Sequence, residues 1–170
     1  MIACLVAAVI DVRSFRIPNW LTFTAAGAGL VLNTLLFGVA LGGNAALRFG
    51  LASVVGCITL LLAFGLLAAM RFVTMGDVKL MAAVGALLRF PDALWALAYV
   101  AIAGGVLGVG YALVLGRMGR VVTNLFRIAR RVVTRRPDEV ELHRIPYSLA
   151  ILVGATWAAL LKYWPVLRIP

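Results

Sequence analysis

Apolar residues run through this chain in long unbroken blocks, and most polar positions fall between the blocks. A helix needs about 20 apolar residues to cross the hydrocarbon core of a bilayer. On that measure the pattern predicts spans at residues 20–41, 49–70 and 93–115, a shorter apolar segment at 78–90 and a last span at 145–164. The breaks carry turn chemistry, Gly42-Gly43-Asn44 and Pro91-Asp92. Pro18 suits the first turn of the second helix, where a missing N–H costs nothing. The opening run, residues 1–10, is too short to span alone. Either it continues as a helix through Asp11 to about Phe15, or its start lies upstream of Met1. It lacks a basic n-region and meets Asp11 at once, so it does not read as a signal peptide. A membrane β-barrel would need period-two alternation, which continuous apolar runs do not supply. The expected class is all-α: a polytopic helical membrane protein with about six transmembrane helices, forming one integral-membrane domain over residues 1–170.

The long polar segment, residues 117–144, has a different pattern. Val121, Leu125, Ile128, Ala129 and Val132 recur at helical spacing, opposite Arg127, Arg131 and Arg135. This predicts a basic amphipathic helix lying on the membrane surface and held by anionic lipid, with partner docking as the alternative use. Trp157, Tyr163 and Trp164 suit an interfacial belt at the far end of the last span. The glycines of the fifth block (Gly104, Gly105, Gly108 and Gly110) are expected at helix–helix contacts.

Composition agrees: 64% of residues are hydrophobic, well above a soluble domain. The formal charge of +10 invites a nucleic-acid reading, but the basic residues cluster beside apolar blocks, so no nucleic-acid partner is expected. If the loops after spans one, three and five face the cytoplasm, that side holds Arg13, Arg16, Arg71, Lys79 and the arginines of the polar segment. The other side holds only Arg48, Arg89, Lys162 and Arg168. The positive-inside bias therefore places both termini outside the cytoplasm. Cys4 and Cys57 are isolated in apolar runs and His143 is the single histidine, so no metal site or Ser-His catalyst can be assembled and no cofactor is expected.

Against this background two carboxylates stand out. Asp11 and Asp77 each close an apolar stretch and open a short basic one, Ile10-Asp11-Val12-Arg13 and Met75-Gly76-Asp77-Val78-Lys79. A carboxylate at membrane depth is costly and marks a functional site by default. The orientation above puts both at the cytoplasmic ends of their helices. Such a pair can share one proton and activate a water, the chemistry of aspartic peptide hydrolysis. Gly76 permits close backbone approach. Lys79 could pair with either aspartate, attract an acidic group on a substrate, or simply snorkel to the interface.

The string Asp11-Val12-Arg13-Ser14-Phe15-Arg16-Ile17-Pro18-Asn19 resembles the D-x(6)-P-N signature of type IV prepilin peptidases. Thr74-Met75-Gly76-Asp77-Val78-Lys79-Leu80 is similar to their G-x-G-D-x-K-L signature, and Arg144-Ile145-Pro146-Tyr147 to the P-Y motif that opens their last helix. The resemblance implies a membrane-embedded aspartic endopeptidase of the bacterial inner membrane. It would remove the short basic leader of prepilins or pseudopilins at the cytoplasmic face, after a glycine. By motif match Asp11 and Asp77 carry over as the catalytic pair, with Gly76, Lys79, Pro18, Asn19, Pro146 and Tyr147 as supporting or substrate-binding candidates. The extra domain of bifunctional relatives, with two C-x-x-C pairs, is missing from the sequence, so the chain resembles the short form of tight-adherence (Flp) pilus systems and methylation is not expected.

Thr74 stands where the motif has its first glycine. If that glycine serves only a tight loop, Thr74→Gly is tolerated, and this is the expectation; recruitment of the hydroxyl to Asp77 is the alternative. Two other functions use the same residues. One is a presenilin-like intramembrane protease, which shares G-x-G-D but carries its first aspartate in a Y-D motif that is missing here. The other is a small transporter or pilus-assembly scaffold with the aspartates as a proton relay.

Overall fold

A computed structural model describes residues 2–14, 18–70, 72–114 and 147–167. The basic segment expected at 117–144, with Arg127, Arg131 and Arg135, lies outside the described residues, as does Pro146. The described chain is helical throughout, with no strand: α1 (Ile2–Ser14), α2 (Asn19–Leu41), α3 (Gly43–Ala69), α4 (Met75–Leu88), α5 (Asp92–Val114) and α6 (Ser148–Leu167). The reason is local. In an apolar medium every backbone N–H and C=O must be satisfied within its own segment, and a helix does this. The short first block resolves as a helix that continues through Asp11.

Three helices, α2, α3 and α5, are long and apolar enough to cross a membrane. They leave large side chains such as Leu35, Leu36, Leu62, Leu66, Ile102 and Val106 exposed, the surface that lipid would cover. Helix α4 is the opposite case. It has 14 residues, of which Asp77, Val78, Leu80, Met81, Ala82, Ala83, Val84, Gly85, Ala86 and Leu88 are buried. At 1.5 Å per residue it is about 21 Å long, too short to span alone. It sits inside the bundle, packed against α2, α3, α5 and α6, while α1 packs on α6 and α2.

Small residues let the neighbours close on α4. A Cβ added at Gly85 would strike the carbonyl oxygen of Gly56 on α3, and one at Gly56 would lie 2.5 Å from the carbonyl oxygen of Gly85. On α2, a Cβ at Gly29 would lie 2.9 Å from the Leu87 backbone nitrogen. Asn33 of α2 adds a polar tie. Its Nδ2 donates to Ser53 Oγ at 2.9 Å and to the Ala86 carbonyl at 3.0 Å, so it caps the open end of α4. Arg89, just past α4, lays its guanidinium over Phe37 and Phe49 at 4.5 and 4.7 Å from their centroids. Of the four glycines expected at contacts in α5, Gly104 alone meets a neighbour among the described residues, the Tyr147 ring, whereas a Cβ at Gly105, Gly108 or Gly110 would meet none of them within 4 Å.

Candidate active site

Successive helices alternate in direction, so the end of α1 and the starts of α2, α4 and α6 meet at one end of the bundle. Asp11, near the end of α1, is 7% exposed, and Asp77, in the first turn of α4, is 2% exposed. They lie within electrostatic reach of each other, the charge on Asp11 acting on the Asp77 carboxyl.

Asp77 is held by its own turn. Thr74 is the N-cap of α4, and the two residues form a capping box. The Thr74 hydroxyl donates to Asp77 Oδ2 at 2.8 Å, and the Thr74 N–H donates to the same oxygen at 2.9 Å. The Asp77 N–H in turn donates to the Thr74 hydroxyl at 3.4 Å. Oδ1 is buried and has no hydrogen-bond partner among the described residues. One oxygen is thus fixed and the other is left for a proton, a water or a substrate group.

Asp11 is held from the other side of the bundle. The Ser148 hydroxyl, at the start of α6, donates to Asp11 Oδ2 at 2.6 Å, and Ser148 is fully buried. Asp77 thus sits in the first turn of α4, where the helix dipole favours negative charge while burial opposes it, whereas Asp11 stands in the last turn of α1 and reaches the start of α6 through Ser148. Tyr147, beside Ser148, lies in the field of Asp77, packs edge-on against Phe64 and presses on Gly104.

Lys79 pairs with neither aspartate in the bonds seen here. Its ammonium donates to Asn19 Oδ1 at 2.9 Å and lies 5.9 Å from the centroid of the Phe23 ring. Asn19 and Lys79 thereby clasp the start of α2 to the start of α4. Pro18 is half-buried just before α2, and Gly76 is half-buried in the first turn of α4.

The structure changes the expectation for Thr74, whose hydroxyl is engaged with the Asp77 carboxylate. Thr74→Gly is expected to cost helix α4 only a few tenths of a kcal/mol, since glycine is itself an acceptable cap. The lost donor to Asp77 is worth about 1.5–3 kcal/mol, so activity should fall at least tenfold. Thr74→Ser should retain it. Initial rates of the two variants, beside their thermal unfolding, check this; a Thr74→Gly enzyme as fast as wild type would show the bond to be idle. The T-x-x-D pattern ahead of an apolar run was a readable capping signal. Ser148 gave no such signal, because nothing local connects it to Asp11.

Neither curated proteins nor solved structures give a match to the chain. A family model does: that of the Type IV leader peptidase family matches residues 1–109, a stretch that contains Asp11, Asn19, Thr74, Asp77 and Lys79 and ends before Tyr147 and Ser148. With well over half of its length matched, and with both buried carboxylates inside the match, this chain belongs to the type IV leader peptidase family.

Proposed function

We propose that this protein is an aspartic endopeptidase of the bacterial inner membrane, cutting the short basic leader from type IV prepilins or pseudopilins at the cytoplasmic face. The observation that carries the reading is that Asp11 and Asp77 are both buried at one end of the bundle, with the charge of Asp11 felt at Asp77. Close like charges in a poorly solvated site favour a pair that holds one proton. The ionised member takes a proton from water as the oxygen adds to the scissile carbonyl carbon. The protonated member gives its proton to the carbonyl oxygen. Collapse of the tetrahedral adduct breaks the C–N bond: the leaving nitrogen takes the proton held by the dyad, and a hydroxyl of the adduct returns one to the dyad as it becomes the new carboxyl. A site at the end of the bundle lets water and an extended leader arrive without crossing lipid.

The remaining candidates take supporting roles. The Asn19–Lys79 clasp keeps the α2 and α4 termini in register around the dyad. Gly76 leaves room for a substrate backbone next to Asp77, and Pro18 and Tyr147 shape the chain entering α2 and α6. The arginines of the basic stretch at 117–144 supply the charge that anionic lipid would attract. The chemistry requires carboxyls and water alone.

The test is direct. Purified protein in detergent, mixed with a type IV prepilin, should release the leader after its glycine, read as a mobility shift and by mass. Activity should survive a strong chelator. An intact prepilin would count against the function, and a chelator-induced loss restored specifically by zinc would count against the dyad chemistry.

A further inference from the structure

We propose that Ser148 is a positioning residue for Asp11, delivered by the last helix to a carboxylate on the first. This rests on the peptidase reading above. Three observations carry it. The Ser148 hydroxyl donates to Asp11 Oδ2 at 2.6 Å. Both groups are buried, Ser148 with no exposed surface and Asp11 with 7%. And the two carboxylates are held by different means, Asp77 by Thr74 three residues away in its own turn and Asp11 by Ser148 across 137 positions.

The physical need is clear. Asp11 lies near the end of a 13-residue helix whose main neighbour is α6. An aspartate side chain has two torsions, and a carboxylate that turns about its Cβ–Cγ bond presents either oxygen to the reaction. A short bond from a rigid, buried hydroxyl fixes that rotation. Ser148 is itself fixed, standing at the start of α6 next to Tyr147, which is wedged between Phe64 and Gly104. Ser148 does not touch the substrate in this assignment; it acts through Asp11. Packing of α6 on α1 therefore completes a site whose two aspartates both lie in the first half of the chain.

The experiment compares side chains of matched shape with and without the hydroxyl. Ser148→Ala, Ser148→Thr and Ser148→Val are purified beside wild type and Asp11→Asn, and steady-state cleavage of a type IV prepilin is measured. Removing the hydrogen bond that orients Asp11 lowers kcat roughly ten- to a hundredfold, with KM little changed. Ser148→Ala should show this. Ser148→Thr should exceed Ser148→Val by a similar factor, since the two differ only in the hydroxyl. A merely structural serine would make threonine and valine equally poor and would move the melting temperature with kcat. Wild-type kcat in Ser148→Ala, or equal rates for the threonine and valine variants, overturns the proposal. If Asp11→Asn cleaves normally, the failure is that of the dyad and not of Ser148.

Discussion

Asp11→Asn and Asp77→Asn should each stop leader cleavage while leaving the protein folded in the membrane. Asparagine keeps the shape of aspartate and can still accept from Ser148 or Thr74, so packing of the bundle is retained. What it cannot do is take or give the proton. Loss of positioned acid–base catalysis is worth about 10²–10⁴-fold, and because the two groups act as one unit the double variant should be little worse than either single one. Asp92→Asn is the control. Asp92 opens α5 at the far end of the bundle, beyond the C-terminus of α4, and its replacement should leave kcat within about twofold of wild type, the scale of ordinary surface changes. A gel assay of prepilin processing, with membrane abundance measured in parallel, decides the matter. Wild-type turnover in either aspartate variant would remove that residue from the chemistry.

The second large effect is expected far from the chemistry. Gly85→Ala adds a single methyl group, yet that carbon would strike the backbone of Gly56, lying 2.7 Å from its carbonyl carbon. No flexible side chain stands in between to move away. Helices α3 and α4 must separate, and α4 carries Asp77. Overpacking of this kind costs about 1–3 kcal/mol, and backbone against backbone belongs at the upper end. Lower thermal stability in detergent and a clear loss of cleavage should appear together, although Gly85 is two turns from Asp77. Gly105→Ala, where a Cβ meets nothing within 4 Å, should be silent in both measurements. Equal stability of the two variants would show that the close α3–α4 approach is not needed.

These two predictions rest on different kinds of information. Helix number and class were legible because lipid imposes a one-dimensional rule, in which apolar blocks become helices and polar breaks become turns. The block boundaries came within a few residues at the breaks around 42 and 91, and less closely at the start of the third block, where the helix begins at Gly43 and not near residue 49. Asp11 and Asp77 were legible because a carboxylate beside an apolar run is rare enough to require a reason. The Thr74 cap was written in the sequence as a four-residue pattern, though the glycine it replaces drew attention to loop freedom instead.

What the sequence determined by itself was therefore a helical membrane protein with two aspartates at the ends of apolar segments, and motifs that tie it to a peptidase family. Tertiary structure alone decided the rest. Ser148 reaches Asp11 across 137 positions, Asn33 caps α4 from another helix, Lys79 turns to Asn19 and not to a carboxylate, and Gly85 with Gly56 sets the α3–α4 distance while Gly104 is the α5 glycine that meets a neighbour. Periodicity and composition act over a few turns of one segment. Which face of a uniformly apolar helix meets which neighbour leaves no trace in such a pattern, because every face reads alike until the helices pack.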